Sequence, residues 1–478
     1  MDTRISQWPD PATSTWERNR RRVAVGTSIS RRLALRLSAA VTAGAAGPLA
    51  GAACGPGGPA AGPGGQGPRF SAQQRYKISY WHWGTQEYYD RERRTADKFQ
   101  QKFPNVEVEV VLQATGFQDK ISAAFAGGAP PDVHVLDMQV VQDWGKRNVL
   151  VDLKQFLKGE RTITLAFYER SPLTRQALDI MSYKDQVLGL PGEAGPNLYY
   201  YNADLFRRNG LKTPFELWKE DKWTWEAFAE SLSTIARASG VTGAAAGLHR
   251  LWMNAAGGKE FDDVKAPRRC LYDDPGSIDG LTFLQDLRHK FKLVPVDFTR
   301  EVGDNDTNAF VAGKVAMMAR WTTGVGVYKG IKDFKWGMVP YPRRKTYAND
   351  YATSGPAIAK DSKAIPAAWE WVKFRQGPEG GLEHATDGYA LFFHAEPRKV
   401  VQETHRSIPT LETPTAMFDM LEGGKHSFVR LLSVDQAKIH GELINPELNK
   451  IWRNEEAAAS VAKRIAASVN EFLKNNPQ

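Results

Sequence analysis

From residue 76 onward, apolar positions recur with two periods. Tyr76–Trp83 alternates and is rich in Ile, Tyr and Trp, which predicts a strand. Arg91–Phe103 brings Ala96, Phe99 and Phe103 onto one helical face, and Pro104 ends that helix. Val106–Leu112 alternates Val with Glu, the pattern of a strand with one wet face. Phe117–Ala126 is again helical, and Gly127-Gly128 with Pro130-Pro131 predicts a turn. Val133–Leu136 is a short apolar strand. Strand–helix–strand alternation implies a parallel sheet with helices on both faces. In such sheets ligands bind at the carboxyl ends of the strands, near the topological switch. Further along, helices are expected over Trp225–Ala238, Ile278–Lys292 and Ala367–Phe374. A helix ending at Phe310–Val311 leads into a strand over Val315–Ala319, and residues 441–474 are helical, closing with Ala457–Phe472. No internal repeat occurs at solenoid periods. No segment after residue 70 is long and apolar enough to span a bilayer.

Composition narrows this picture. The chain has 478 residues and is 42% hydrophobic, too apolar for a disordered protein. That length predicts two or three domains at roughly 100–200 residues each. The 14 Trp suggest rings used as contact surfaces as well as core. The net charge is +9, but residues 1–53 hold eight Arg against Asp2, Asp10 and Glu17, so five of those charges sit there. The remainder is weakly basic and carries no concentrated stripe, so nucleic acid is not an expected partner. Cys54 and Cys270 form no disulfide framework and no zinc spacing. The nine His are scattered without metal spacing, and no phosphate loop exists. No metal, cofactor or catalytic group is therefore expected.

The N-terminal segment reads as an address. Ser30-Arg31-Arg32-Leu33-Ala34-Leu35-Arg36 resembles a twin-arginine export signature, and a weakly apolar stretch follows to Ala53. Leu49-Ala50-Gly51-Ala52-Ala53-Cys54 resembles a bacterial lipobox, departing from it at Gly51, and implies lipidation of Cys54. Residues 54–75, rich in Gly and Pro, read as a tether.

Five segments, in order, then resemble the family 1 extracellular solute-binding proteins of the maltose-binding type. They are Ile78-Ser79-Tyr80-Trp81-His82-Trp83-Gly84, with Pro104-Asn105-Val106 after it; Pro131-Asp132-Val133, with Leu150-Val151-Asp152-Leu153; and Gly189-Leu190-Pro191, with Leu198-Tyr199-Tyr200-Tyr201-Asn202. Phe310-Val311-Ala312-Gly313-Lys314-Val315 is the fourth, and Trp336-Gly337-Met338-Val339-Pro340 the fifth, followed by Ala368-Trp369-Glu370-Trp371. The resemblance spans about 76 to 474. It implies an α/β, two-lobed type II periplasmic-binding-protein fold, each lobe a mostly parallel sheet flanked by helices, with the lobes joined by a hinge. Residues 76–190 and 352–405 would form the N-lobe, and 191–351 with 406–478 the C-lobe. The first crossing would lie near Gly189–Tyr201 and the return near Tyr351–Ala359. The implied role is a binding protein of an ABC importer, with no enzymatic activity. It would capture a carbohydrate between the lobes and hand it to permease subunits. It would work as an exported monomer held at the cell surface or in the periplasm, touching membrane only through the lipid on Cys54.

Sugars present flat C–H faces ringed by hydroxyls, so the search is for aromatic rings and carboxylate or amide groups just after strand ends. The candidates are Trp81, Trp83, Thr85 and Gln86 after the first strand, Gln113 after the second, and Asp137 and Gln139 after the third. Glu193, Gly195 and Asn197 lie at the crossing; the carboxylate position of the maltose type falls nearest Gly195, with Glu193 two residues away. His249, Trp252 and Asn254 precede Gly257-Gly258. Trp321 follows the later strand, Gly355 permits close backbone approach, and Tyr389 completes the set. Trp81 and Trp83 would share one face of their strand and His82 the other. Three rival readings stand beside this one. Asp137 and Glu193 could serve as the carboxyl pair of a glycoside hydrolase. Tyr199-Tyr200-Tyr201 could supply tyrosinates to ferric iron. A polyol or a glycerol phosphate could replace the sugar, and Arg320 is the one obvious cation for a phosphate.

Overall fold

The computed structural model describes residues 70–477, except 245, 295–303, 423–431 and 434. The expected export signal, the expected lipobox with Cys54 and the expected tether up to residue 69 lie outside the described residues.

The elements that position the site are, in chain order, β1 (Tyr76–Trp83), α1 (Gln86–Lys102), β2 (Val106–Gln113), α2 (Phe117–Ala126), β3 (Val133–Asp137), α3 (Pro172–Ile180), β4 (Glu193–Asn202), α4 (Trp225–Ser239), β5 (Thr242–Ala244), α5 (His249–Ala255), α6 (Pro275–His289), α7 (Asp304–Val311), β6 (Val315–Trp321), β7 (Trp336–Val339), β8 (Asp350–Ala352), β9 (Ser354–Ile358), α8 (Ile365–Gln376), β10 (Leu391–Phe392), α9 (Ala395–Ser407), α10 (Ala416–Glu422) and α11 (Ala458–Asn475).

The first sheet has the order β9-β3-β1-β2. β1 runs parallel to β2, from Tyr76 opposite Val106 to Trp83 opposite Gln113, and parallel to β3. Crossover helices α1 and α2 make this possible, because parallel neighbours need a long connection. The alternation in β1 buries Tyr76, Ile78 and Tyr80 on one face, against Phe99 and Trp371. β9 closes antiparallel on β3, with Ser354 opposite Asp137. α1 begins at Gln86, a turn earlier than its apolar spacing predicts, because its first two residues, Gln86 and Glu87, are polar and exposed.

The second sheet has the order β8-β4-β6-β5, and β7 and β10 also pair with β4. It departs from the expected mostly parallel form. β6, β7, β8 and β10 all run antiparallel to β4, and only β5 lies parallel to β6. The cause is that β4 is the long strand entering this sheet, and each later strand returns along it. Asn202 ends β4 and caps the next helix, its side-chain oxygen accepting from the Leu205 amide at 3.2 Å. Tyr199, Tyr200 and Tyr201 are all fully buried in β4.

The chain leaves the first sheet before Glu193 and returns to it between Ala352 of β8 and Ser354 of β9. At that point the Thr353 hydroxyl donates to the Glu193 carbonyl at 2.8 Å, tying the two crossings together. Among the described residues no helix is long and apolar enough to cross a membrane.

Candidate functional site

A cavity of about 350 Å3 sits where the crossings meet the carboxyl ends of β1 and β3. Its volume is within the range of small-molecule sites. β1 contributes His82 and Trp83, and α1 contributes Tyr88. β3 ends in Asp137, with Gln139 two residues on. β4 begins with Glu193 and Gly195, and β6 ends in Trp321, followed by Thr322 and Thr323. Ala352, Thr353 and Ser354 form the return crossing, Arg375 reaches in from α8, and Tyr389 and Ala390 come from the segment before β10.

Local structure explains these placements. Gly84 has a φ of 131°, where a β-carbon would strike Tyr88, so the chain turns sharply after Trp83 and leaves that ring at the rim. The Trp83 ring stands edge-on to Phe117 at 5.2 Å. Asp137 caps the short turn after β3, accepting from the Gln139 amide at 2.8 Å. Trp321 lies opposite Asn197 in register, and Tyr200 donates to its carbonyl at 3.3 Å, which fixes that strand end. Gly195 leaves room at the floor: a β-carbon there would come within 3.0 Å of the Thr322 hydroxyl. That hydroxyl is buried and has no partner within the protein, as is Nδ1 of His82. Both are unspent hydrogen-bonding groups in the cavity wall.

Glu193 is held by Tyr389, whose hydroxyl donates to both carboxylate oxygens at 3.0 and 3.1 Å. Burial raises the Glu193 carboxyl above the usual carboxylate range, while Arg375 and the Tyr389 hydrogen bond oppose the rise. Behind this wall lies a buried polar cluster. Arg375 donates to Glu92 from Nη2 at 2.7 Å and from Nε at 3.4 Å. Burial opposes the Arg375 charge, but Glu92 more than offsets it and holds the guanidinium well above its ordinary value. His82 and His384 stand 3.2 and 3.7 Å from the same carboxylate. Burial pushes His82 down to about 4, so it is neutral at pH 7.

Of the residues singled out from sequence, Trp83, Asp137, Gln139, Glu193, Gly195, Trp321 and Tyr389 are brought together here. The rest are placed elsewhere. Trp81 shares the face of Trp83 as expected, but lies two residues back along the strand and is absent from the lining. Thr85 is exposed at the start of α1, and the Gln86 amide turns along the helix to Asp90 at 2.8 Å. Gln113 is half-buried at the end of β2, outside the lining. Asn197 is buried under the floor, where its Oδ1 accepts from the Tyr341 hydroxyl at 2.8 Å.

His249, Trp252 and Asn254 are likewise placed away from the cavity lining. They lie on α5, which packs against α6. His249 bonds to Tyr272 at 2.7 Å and Glu260 at 3.2 Å, and Trp252 is fully buried among Trp225, Phe228 and Phe283. Asn254 follows Trp252 on this helix and is absent from the cavity wall. Gly257-Gly258 marks a packing contact, because a β-carbon on Gly258 would lie 2.3 Å from the Ser277 amide nitrogen. Gly355 likewise serves the two crossings: its β-carbon would lie 2.2 Å from the Leu190 carbonyl oxygen. None of Tyr199, Tyr200 and Tyr201 lines the cavity, which removes the basis for tyrosinate–iron binding. Arg320 lies outside it as well, bonded to Thr307.

His82, Tyr88, Thr322, Thr353, Ser354 and Arg375 are lining residues that sequence reasoning missed. Thr322 immediately follows Trp321 and His82 precedes Trp83, so strand-end adjacency was their available signal. Arg375 has no local signal, since it lies in a helix more than 280 residues from its partner Glu92.

Comparison with known proteins bears on the family and the fold. The model of the bacterial extracellular solute-binding proteins matches residues 94–402. A lactose-binding protein of Rhizobium radiobacter is 22% identical over 262 residues, covering 52% of this chain and 58% of that protein, so the match spans little more than half of the relative's length. An ABC substrate-binding protein of Listeria monocytogenes solved with cycloalternan superposes with a TM-score of 0.71 at 18% identity, over 84% of this chain and all of that one. A maltose-bound protein of T. maritima superposes with a TM-score of 0.65 at 20% identity, over 83% of this chain and all of that one. These neighbours share the two-lobed fold, with the cleft of this chain at its crossings. The chain belongs to the bacterial extracellular solute-binding protein family.

Proposed function

We propose that this protein captures a carbohydrate in the cleft and delivers it to the permease of an ABC importer, without chemical change to the sugar. One observation carries the reading. Two indoles, Trp83 at the end of β1 and Trp321 at the end of β6, line one cavity together with Asp137, Gln139, Glu193, Thr322 and Tyr389. Rings to cover C–H faces and oxygen or amide groups to bind hydroxyls are what a sugar requires. Because the two Trp come from different sheets, a ligand between them bridges the lobes and favours a closed arrangement. Relatives named for lactose, maltose and cycloalternan support the same class. The only guanidinium in the described lining, that of Arg375, is already engaged by Glu92, which disfavours a phosphate-bearing cargo. In this reading the protein is exported, works as a monomer, and is anchored through lipid on Cys54, with residues 76–190 and 352–405 as one lobe and 191–351 with 406–478 as the other.

Thermal unfolding of the full chain against lactose, maltose, larger maltosaccharides, polyols and glycerol 3-phosphate tests this. A ligand at a hundredfold excess over its Kd adds about 2.7 kcal/mol of stability. A clear upward shift with a saccharide is expected. A shift confined to polyols or glycerol phosphate refutes the sugar reading. Mass spectrometry of Cys54 tests the anchor separately.

A further inference from the structure

Two polar contacts join α3 to segments that do not share its core. α3 buries Leu173, Ala177 and Ile180 in one core with Ile78, Val133 and Leu136 of the first sheet. Gln176 and Asp179 stand three residues apart on the same helix and are neighbours on its surface. Gln176 accepts from the Tyr351 hydroxyl of β8 at 3.0 Å. The Lys265 ammonium donates to the Asp179 carboxylate at 2.7 Å and also to the Asp179 backbone carbonyl. Lys265 sits in a turn that holds its shape through side-chain bonds. Asp262 accepts from the amides of Asp263, Arg268 and Arg269, and Asp263 accepts from those of Lys265 and Ala266. A bridge from Phe261 to Cys270 closes this turn, and both residues belong to a different core, shared with α5 and α6. The Asp179–Lys265 pair therefore ties one core to the other.

Strand alternation tells which side of the crossings this tie occupies. Gly195 of β4 lies opposite Ala352 of β8 in register, and both line the cleft. Pro196 lies opposite Tyr351, one position along, so these two side chains leave the other side of the ribbon. Tyr351 meets α3 on that far side. Burial, then the charges of Asp350 and Asp179, raise the Tyr351 hydroxyl above its ordinary value, so Asp179 stands within electrostatic reach of the same side. Lobes that turn about their crossings to shut a cleft bring the cleft edges together and draw the rear edges apart. A contact at the rear is stretched or lost in that movement.

We propose that the Asp179–Lys265 pair is a rear tether that favours the open arrangement, so that closure over cargo has to break it. The tether sets affinity without touching the ligand, because binding is weakened by whatever fraction of the chain is held away from the closed form. This rests on the closing cleft proposed above, and not on which class of cargo the cleft takes.

Calorimetry of the full chain with the best cargo from the thermal screen tests the proposal. Asp179→Asn and Lys265→Gln should each tighten binding by roughly two- to fivefold, the size expected of a pair whose Asp179 side chain is 66% exposed. Added salt should tighten wild-type binding toward that of the variants and leave the variants unchanged. Asp179→Lys combined with Lys265→Asp should bring the affinity back toward the wild-type value, which a merely local packing role would not do. Weaker or unchanged binding in the single variants, or the same salt response in variant and wild type, would each overturn the proposal. A cargo that is not a saccharide would sink the sugar reading and leave this test intact. Should no cargo bind, the cleft reading fails and a ligand-free measurement still decides the tether. A spin label on Thr85→Cys, at an exposed position, with Cys54→Ser and Cys270 buried, should relax the amides around Trp321 faster in Asp179→Asn than in the unmutated pair, and an unchanged rate would refute the tether.

Discussion

Replacing Glu92 with Gln removes the one negative charge at the centre of the cluster behind the cleft. Glu92 is fully buried and Arg375 is 8% exposed. The guanidinium would keep an amide oxygen to bond but lose its counter-charge, in a largely buried position. Breaking one side of a buried ion pair costs about 3–5 kcal/mol. The retained acceptor puts Glu92→Gln near the lower end, about 3 kcal/mol. In urea, where slopes run at roughly 1–3 kcal/mol per molar, the midpoint should fall by about 1 M or more. The sign with pH follows from Arg375, His384 and His82, which together overcome burial and hold the Glu92 carboxyl far below its ordinary 4.5. A depressed carboxyl contributes its full stability above the unfolded value and loses it as pH falls below that value. The gap between wild type and variant should therefore be complete at pH 7 and narrow once pH drops under 4.5. Glu92→Leu combined with Arg375→Leu should be less destabilised than either single change, because no lone charge is left buried. A cost below about 1 kcal/mol for Glu92→Gln, or simple additivity of the two Leu changes, would refute this account of the cluster.

Trp321→Ala should weaken saccharide binding by about 2 kcal/mol, roughly thirtyfold, with little effect on the urea midpoint; unchanged affinity by calorimetry would remove Trp321 from the site. His134 is buried with neither ring nitrogen hydrogen-bonded, against Phe125 and Trp144, and burial pushes it down to about 3. An imidazole that stays neutral in the fold loses stability as pH falls from its unfolded 6.5 toward 3, at about 1.4 kcal/mol per pH unit. His134→Leu should thus be neutral or stabilising at pH 7 and should flatten the acid limb of the stability curve, whereas a destabilised variant with an unchanged acid limb would contradict the burial argument. Gly355→Ala should cost about 1–3 kcal/mol by forcing the crossings apart at Leu190, and a variant with wild-type unfolding would show that the contact is not tight.

The first sheet could be read almost residue by residue, because its strands alternate and its helices end at Pro104 and at the Gly127-Gly128 turn. The second could not. Whether β6 or β7 lies parallel or antiparallel to β4 depends on partners more than a hundred residues away, and neither strand carries that information locally. The site divides along the same line. Strand-end positions such as Trp83, Asp137 and Trp321 were readable because a strand's end fixes where its last side chain goes. Arg375 is held in place by Glu92, far off in sequence, so nothing around it signals its role. Glycine was the misleading residue. Gly355 was expected to let a ligand approach, yet a β-carbon there would meet the Leu190 backbone, since a missing β-carbon favours close packing and ligand approach alike. Glu193 also refines the hydrolase alternative. Its raised carboxyl is a property that a general acid shares, so turnover has to be tested directly.

Calorimetry with the best saccharide from the thermal screen, followed by mass analysis of the ligand recovered from the protein, does that and tests the whole account. Saturable one-to-one binding, with the sugar returned at its original mass, is the predicted result. No saccharide binding at any accessible concentration, or recovery of cleaved or hydrated product, would contradict it.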